Sequence, residues 1–258
     1  MQNITGKDNI RIKTLLKARK DPRKAGFVFV EGLRTVTDAF SSGMKIESLF
    51  MTEEKRYEIP EELINYAGES FIISGEAADK IAQTVNTQGV FALVRMPDEL
   101  LTQWSGLPDC KRLMICDGVS DPGNMGNVIR SADAFGFDGV LLSRDCVSPY
   151  NEKVIRASAG SVFHIRIFET GSMEEAVSML RESGFTICAT ALEGHEMTQE
   201  TSFRLPCGLI VGNEGNGISD AVLALADTVV KIPMRGRAES LNVASAASIM
   251  AFLIMQSE

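Results

Sequence analysis

The stretch RLMICDGVSDPGNMGNVIRSADAFGFDGVLL, residues 112–142, decides the fold. It opens with an apolar run at 112–116, turns at a Pro-Gly pair, and continues with apolar residues at helical spacing over 124–135. A second apolar run follows at 138–142. A strand, a helix and a strand of these lengths are typical of a parallel crossover unit, so the stretch predicts a parallel sheet covered by helices.

The chain after this unit keeps the same alternation of apolar runs and helical patterns. We therefore predict an α/β domain over residues 110–258, with a mainly parallel sheet and helices on both faces. In such sheets ligands bind beyond the carboxyl ends of the strands. The predicted strands are 162–168, 185–190, 207–211 and 228–232, and the predicted helices are 149–158, 172–183 and 240–256.

The chain before residue 98 predicts a smaller α/β domain, residues 1–97. A stretch with two prolines, a glycine and acidic residues follows, and we interpret residues 98–109 as a linker. The small domain is expected to contain helices at 8–20 and 33–42, strands at 27–32, 46–51 and 71–73, and a closing apolar run at 90–96.

Composition indicates a folded protein without a membrane span or an export signal. The hydrophobic content is 45%, enough for a core in each domain. The longest apolar run, Val243–Met255, is too short to cross a bilayer, and the first residues lack a signal core, so we expect a cytoplasmic protein with no membrane partner. The five cysteines have no metal-ligand spacing, so we expect buried reduced thiols and no metal site.

Charge is distributed unevenly along the chain. The net charge of −8 argues against indiscriminate nucleic-acid binding, and DNA is not expected as a partner. Residues 1–30, however, carry eight basic and two acidic residues, a balance of +6, which leaves −14 on the remainder. This basic segment is suited to a phosphate backbone, and a solvated helix face explains it equally well from charge alone.

The turn at Pro122 and Gly123, inside the quoted stretch, is a candidate reactive site. Asn124 can cap the following helix, and Arg130 lies six residues later, within two helical turns. A cationic guanidinium beside a helix N-terminus suits a phosphate group. The alternative is a capped helix that carries a surface arginine.

The segment CGLIVGNEGNGIS, residues 207–219, places three glycines around Glu214 after an apolar strand. Glycines allow a backbone to approach a ligand closely. A dinucleotide-binding turn is the rival interpretation, but the glycine spacings are three and two, the reverse of that fingerprint, and the turn does not follow the first strand of its domain.

The segment VVKIPMRGRAESLNVASAASIMAFLI, residues 229–254, is predicted to be a strand, a loop and a helix that Ser240 opens. Asn242 in its first turn offers a donor and an acceptor near the strand ends. For Ser240, a purely structural cap is the alternative. No GxSxG motif is present, and neither His164 nor His195 has an obvious partner, so a hydrolase triad is not indicated.

The three segments, in this order, resemble the motifs of the SpoU family of RNA ribose 2′-O-methyltransferases, within the SPOUT superfamily. The resemblance spans most of residues 112–256. RKAGFVFVEGLRTVTDAF, residues 23–40, resembles the substrate-binding domain that often precedes this catalytic domain and is related to RNA-binding ribosomal proteins. One departure is Ala244, where the family usually has serine.

The resemblance implies a trefoil knot in the C-terminal domain, an exception to the usual absence of knots. It also implies a homodimer, for which helix 243–255 is a candidate interface element. The cofactor would be S-adenosylmethionine and the substrate a ribose 2′-hydroxyl in RNA, with ribosomal RNA favoured over transfer RNA. The implied cofactor-binding residues are Thr190, Ala191, Gly212, Asn213, Glu214, Gly217, Ile232, Met234, Leu241 and Asn242.

Arg130 matches the family's catalytic arginine, and Asn124, Glu214, Ser240 and Asn242 would position it and the ribose. A guanidinium has a pKa above about 12, so clamping a phosphate and polarising the hydroxyl is easier than acting as a base. Two other function classes stay open at this stage: a nicotinamide-dependent oxidoreductase and a non-catalytic RNA-binding protein.

Overall fold

The computed structural model describes residues 1–4, 9–82, 87–96, 107, 109–197 and 202–257. Most of the predicted linker, 98–109, lies outside these residues. The chain divides into two compact units, one of residues 1–97 with 150–156, and one of residues 98–149 with 157–258.

The first unit is a five-stranded sheet with helices. Its strand order is β1-β4-β3-β5-β2, in which β5 runs antiparallel to both of its neighbours and the other pairs are parallel. Phe50, Phe71 and Phe91 lie in its core. The strands are β1 (Gln2–Ile4), β2 (Phe27–Glu31), β3 (Ile46–Thr52), β4 (Glu69–Ile73) and β5 (Val90–Arg95), and the helices are α1 (Ile10–Lys20), α2 (Pro22–Ala25), α3 (Leu33–Ser41), α4 (Glu61–Tyr66) and α5 (Gly75–Ile81).

The second unit contains a six-stranded sheet in the order β11-β9-β10-β6-β7-β8, and every pair in it is parallel. This agrees with the predicted α/β class. The strands are β6 (Arg112–Cys116), β7 (Gly139–Leu142), β8 (Arg166–Glu169), β9 (Thr186–Glu196), β10 (Cys207–Val211) and β11 (Thr228–Lys231), and the helices are α6 (Pro122–Ala134), α8 (Met173–Glu182), α9 (Asp220–Leu223) and α10 (Val243–Met255). The remaining helix, α7 (Glu152–Ala157), falls mainly in the segment that groups with the first unit.

Helices α6 and α10 pack against each other. In α6 the buried residues Met125, Val128, Ile129 and Ala132 recur at helical spacing. In α10 the buried positions include Ala244, Ala247 and Ala251, whose small side chains allow a close approach. No helix in the described ranges combines the length and hydropathy that a bilayer crossing needs.

Several element boundaries differ from the predictions, and the strand predicted at 185–190 extends to Glu196 as β9. The predicted strand at 162–168 is a 3-10 turn, Ser161–Phe163, followed by the shorter β8, because Gly160 adopts a left-handed conformation with φ +90° and turns the chain. The predicted helix at 124–135 begins earlier, at Pro122, and the helix predicted from Ser240 begins later, at Val243.

The five cysteines are free, as predicted, and four of them are buried. Burial raises the pKa of the Cys110 thiol to about 11 and those of Cys188 and Cys207 to about 12. These thiols therefore stay protonated and unreactive at neutral pH.

Candidate active site

The loops that follow β6 and β10 begin side by side. The two strands are parallel neighbours in which Val211 pairs with Cys116, and the Asp117 amide then donates to the Val211 carbonyl at 2.9 Å. Both loops leave the carboxyl end of the sheet, where a parallel sheet binds its ligands. The first two sequence motifs are thereby brought together, as predicted.

The carboxylate of Glu214, in the loop after β10, is held by donors from the loop after β6. Its Oε2 accepts hydrogen bonds from the amide and the hydroxyl of Ser120 at 3.3 and 3.2 Å, and its Oε1 accepts from the Asp121 amide and Asn124 Nδ2, both at 3.1 Å. A fifth donor, Asn213 Nδ2, lies 3.4 Å from Oε2. Glu214 therefore ties the two loops together.

The charged form of Glu214 is favoured by this arrangement. Partial burial raises the pKa of the carboxyl, but the hydrogen bonds from Asn124 and from the backbone at Asp121 and Ser120 lower it, and the net result is a pKa below the usual value. A carboxylate with a depressed pKa and five donors is a weak base. In this geometry Glu214 holds Ser120, Asp121 and Asn124 in place.

Asn124 links this pair of loops to the third motif. While its Nδ2 donates to Glu214, its Oδ1 accepts a hydrogen bond of 2.8 Å from Asn242 Nδ2. The Oδ1 of Asn242 accepts from the amides of Ala244 and Ser245 at the start of α10, at 2.9 and 3.4 Å. A continuous chain of hydrogen bonds thus runs from Glu214 through both amides to α10.

The predicted caps are corrected by these contacts. Asn124 does not cap α6; Asp121 does, because Pro122 occupies the first helical position and the Asp121 side chain accepts from the Asn124 amide at 2.8 Å. Asn242 is the N-cap of α10, ahead of its first turn. Ser240 lies two residues before that cap, exposed and without a recorded hydrogen bond to the described residues.

The turn of residues 212–217 is held rigidly. Asn213 and Gly217 exchange backbone hydrogen bonds of 2.8 and 3.0 Å, and Asn213 Oδ1 accepts from the amides of Gly215 and Asn216. A Cβ on Gly212 would lie 2.2 Å from the Gly217 carbonyl carbon, so only glycine fits there. Asn213 Nδ2 also donates to the Gly118 carbonyl at 2.8 Å. At Gly212 the missing side chain therefore allows the turn to approach itself.

Arg130 opens onto a cleft between α6 and α10. The side chain is exposed and makes no hydrogen bond or ion pair with the residues that the structure describes, so it does not reach back to the cap as predicted. The floor of the cleft includes Ser131 and Ser248, whose hydroxyls are 2.6 Å apart. The cleft has a volume of about 440 Å³ and is lined by Asn127, Arg130, Ser131, Ala134, Phe135, Asn242, Ala244, Ser245 and Ser248.

Comparison with known proteins decides the family. Residues 111–252 match the SpoU rRNA Methylase family, and residues 7–92 match the MRM3-like substrate binding domain. The chain belongs to the SpoU rRNA methylase family. The resemblance seen in the sequence is thus confirmed over both parts of the chain.

SpoU-family relatives match over nearly the whole length. The 23S rRNA (guanosine(2553)-2′-O)-methyltransferase RlmP of Bacillus subtilis is 32% identical over 98% of each chain. The AdoMet-bound rRNA methyltransferase of Sinorhizobium meliloti is similar in structure, with a TM-score of 0.81, 28% identity, and coverage of 97% of this chain and 95% of that one. A crystal structure of an RNA 2′-O ribose methyltransferase gives a TM-score of 0.80 at 31% identity, with coverage of 97% and 96%.

The other residues that the SpoU resemblance assigns to the cofactor lie around the same end of the sheet. Thr190 and Ala191 are in β9, where Thr190 Oγ1 donates to the Ile210 carbonyl at 3.5 Å. Ile232, Met234 and Leu241 lie in the loop after β11 whose end is fixed by Asn242. These five residues are outside the hydrogen-bond chain around Glu214.

Sequence reasoning missed Ser120 and Asp121, which donate to Glu214. The Asp-Pro pair at 121–122 was an available signal, because proline is favoured at the first helical position and aspartate at the cap before it. It also missed the partner of His164, whose Nδ1 lies 3.4 Å from the Asp133 carboxylate, 31 residues away along the chain.

Proposed function

We propose that this chain is an S-adenosylmethionine-dependent methyltransferase that acts on a ribose 2′-hydroxyl of ribosomal RNA. The observation that carries the proposal is the bonded chain Glu214–Asn124–Asn242, which joins all three SpoU motifs. Arg130 lines the same cleft as Asn242 and has no partner among the described residues. Full-length relatives with this activity support it. Transfer RNA is the alternative substrate.

The residues around the 212–217 turn suit the cofactor. The turn exposes backbone at Gly215 and Gly217, and the loop after β11 offers the half-buried Ile232 and Met234 beside Leu241, which is 37% exposed. Apolar side chains next to exposed backbone groups fit a nucleoside, because the faces of its base pack on apolar groups while the edge of the base and the sugar form hydrogen bonds. The bound cofactor supplies a methyl group on a positively charged sulfur.

We assign the alignment of the ribose to the hydrogen-bonded amides. Asn124 and Asn242 have fixed orientations because each uses both its oxygen and its nitrogen within the chain that begins at Glu214. Fixed groups around a reacting hydroxyl reduce the entropy lost on the way to the transition state. Glu214 holds these amides and is not the proton acceptor.

Arg130 is assigned to the RNA itself. A guanidinium without an internal partner can donate two hydrogen bonds to one phosphate and also polarise the adjacent 2′-hydroxyl. Its position in the same cleft as Asn242 supports this role. Proton loss from the hydroxyl to phosphate oxygen or to water is then assisted without deprotonation of the arginine.

The remaining parts of the proposal concern the whole chain. We infer that the C-terminal unit is trefoil-knotted; the support is that the chain returns from the edge strand β11 to Asn124, past the ends of β9 and β10. We infer also that residues 1–97 hold RNA, that α10 forms a homodimer interface, and that the enzyme acts in the cytoplasm. Exposed Ile249 and Phe252 on α10 support the interface.

The test of this function is to map 2′-O-methylation in RNA from cells with and without the gene, and to restore it with the wild-type chain or with Arg130→Ala. We expect one methylated position to disappear and to return with the wild-type chain alone. If the lost methylated position lies in transfer RNA, the substrate is transfer RNA and not ribosomal RNA. If no methylated position is lost, the result counts against the proposed activity. Restoration by Arg130→Ala would contradict the role of that residue.

A further inference from the structure

At the catalytic end of the second unit, three arginines besides Arg130 have no partner among the residues that the structure describes. Arg144 lies in the loop after β7, and Arg235 and Arg237 lie in the loop after β11. Each is exposed, and none has a hydrogen bond or ion pair with any residue that the structure describes. Exposure alone does not indicate a ligand, because an unpaired arginine is stable in water. The positions of these arginines relative to the site therefore decide whether they can bind one.

Arg144 is held close to the loop that binds Glu214. The preceding residue, Ser143, donates its amide to the Cys116 carbonyl at 3.0 Å, and its hydroxyl accepts from the Gly118 amide at 2.9 Å. The Val147 amide donates to the Val119 carbonyl at 3.0 Å. The loop that carries Arg144 is therefore fastened alongside residues 116–119, directly before Ser120.

The short loop that carries Arg235 and Arg237 keeps both residues near Asn242. Their loop leaves β11 at Lys231 and ends at Asn242, which is bonded to Asn124. Arg237 is five positions before Asn242 and Arg235 is seven, so their Cα atoms lie at most about 18 Å and about 25 Å from that of Asn242. Both arginines therefore stay within a few nucleotides of a ribose that is placed at Asn242.

Two arginines at the opposite end of the sheet form hydrogen bonds within the chain. Arg166 donates to the Asp138 carbonyl at 3.1 Å, and Arg181 bonds with Asp227 at 2.9 Å. Arg204, before β10, is the exception, since it is exposed and has no recorded partner among the described residues. Unpaired arginine is thus concentrated at the catalytic end, and Arg204 provides a matched control.

The nearby acidic groups do not cancel this charge. Asp121 and Glu214 are already engaged by backbone and amide donors. Asp145 and Glu239 remain exposed in the two arginine-bearing loops without a recorded ion pair in the described chain. Within α6 and the two loops, four guanidiniums without a partner among the described residues stand against two such carboxylates, so these segments carry an excess of positive charge. Glu193 and Glu196 are further exposed carboxylates at the end of β9.

We propose that Arg144, Arg235 and Arg237 form a phosphate-binding site for the RNA nucleotides that flank the target ribose, separate from the phosphate held by Arg130. The inference rests on the proposed function. Phosphate contacts fix the register and orientation of a nucleic acid without reading its sequence. The two loops follow different strands, so their arginines would contact RNA phosphates on either side of the target ribose.

The test compares Arg235→Gln/Arg237→Gln and Arg144→Gln with the control Arg204→Gln in the full chain. The probes are a single-stranded RNA oligonucleotide for binding and bulk ribosomal RNA for methyl transfer. We expect the double variant to raise the KM for RNA about tenfold and to reduce the salt slope of RNA binding by about 0.7 per lost contact. The kcat, the cofactor affinity and the control stay as in the wild type.

Several outcomes would overturn the inference. One is an unchanged KM and salt slope, and another is an equal effect of Arg204→Gln, which would indicate a general charge effect. Lost affinity for S-adenosylmethionine in calorimetry would assign the arginines to the cofactor carboxylate. RNA binding that depends on these arginines, in a wild-type protein that methylates no RNA, would contradict the proposed function alone.

Discussion

Arg130 differs from Asn124, Glu214 and Asn242 because it has no hydrogen bond or ion pair with the described residues. We expect Arg130→Ala to lower kcat for methyl transfer by about 10² or more. The affinity for S-adenosylmethionine should stay unchanged, because Arg130 faces the cleft and not the 212–217 turn. Single-turnover kinetics and calorimetry measure the two quantities, and equal losses in both would refute the assignment.

Glu214 should make the stability of the protein depend on pH in a predictable direction. Its pKa in the folded chain lies below the ordinary value, so its contribution is fully present above that value and is lost as the pH falls through the lower, folded pKa. In Glu214→Gln the contribution is absent throughout. We expect the difference in melting temperature between the two proteins to be largest near about pH 6 and to shrink below about pH 4.

If the difference in melting temperature between the wild type and Glu214→Gln stays constant over that pH range, the charge of Glu214 does not stabilise the two loops. Glu214→Gln should also reduce methyl transfer, since an amide nitrogen would face the donors of Ser120 and Asp121. Asp145→Asn is the matched control, because that carboxylate is exposed and has no recorded partner among the described residues.

At the scale of the elements, the turn of residues 212–217 tolerates an added methyl group at one glycine and not at another. A Cβ on Gly212 would lie 2.2 Å from the backbone carbon of Gly217, whereas one on Gly215 would meet Asn213 Oδ1 at 3.6 Å, an ordinary contact. We expect Gly212→Ala to reduce the free energy of unfolding by about 1–3 kcal/mol.

Denaturant unfolding of the two alanine variants checks this prediction. Gly215→Ala should unfold as the wild type does, and Gly212→Ala should also bind S-adenosylmethionine more weakly, since the turn must open to accept the methyl group. Equal stabilities would show that the backbone moves freely at residue 212.

The element boundaries show what local sequence could and could not predict. The strands and helices around residues 112–142 follow from their apolar spacing. The caps did not follow, because Asn124 and Asp121 are equally good capping residues and Pro122 favours the second of them. Asn124 was then free to bond with Glu214 and Asn242, residues that lie far away in sequence.

On the scale of the whole molecule, the order of the strands could not be predicted from the sequence pattern. Pairing of Val211 with Cys116 joins positions that no local periodicity connects, and the same holds for the other neighbours in the six-stranded sheet. The three site segments could be predicted as a set from their family resemblance. Their internal bonds, including those of Ser120, required the folded chain.

The proposed homodimer makes a prediction about α10. Phe252 is 42% exposed and stacks edge-on against Phe135, so a charge at this position would be buried in the interface that we propose. We expect Phe252→Asp to sediment as a monomer and to lose methyl transfer. Tyr57→Asp is the control, because Tyr57 is 84% exposed and lies in the first unit.

A dimeric Phe252→Asp protein with a normal circular dichroism spectrum would exclude this interface. A fully active wild-type monomer in sedimentation would exclude the dimer itself.

The basic segment of the first unit is predicted to bind RNA through exposed lysines. Lys13, Lys17 and Lys20 are exposed on α1, whereas Arg11 bonds with Glu69 and Arg19 with the Ile81 carbonyl; Lys7 lies outside the described residues. Reversing the three exposed lysines to glutamate should weaken RNA binding and flatten its salt dependence. Calorimetry should find the cofactor affinity unchanged, and unaltered RNA binding would leave these lysines as a solvated helix face.

The bond between Asn124 and Asn242 joins positions that are synthesised 118 residues apart. A chain that is still being made, or one cut short before residue 242, already contains the basic helix and the arginine of α6, but its Asn124 has no amide to orient it. On the proposed function, such a chain would lack a group that orients the ribose, so we expect methyl transfer to begin only when synthesis and folding have both finished.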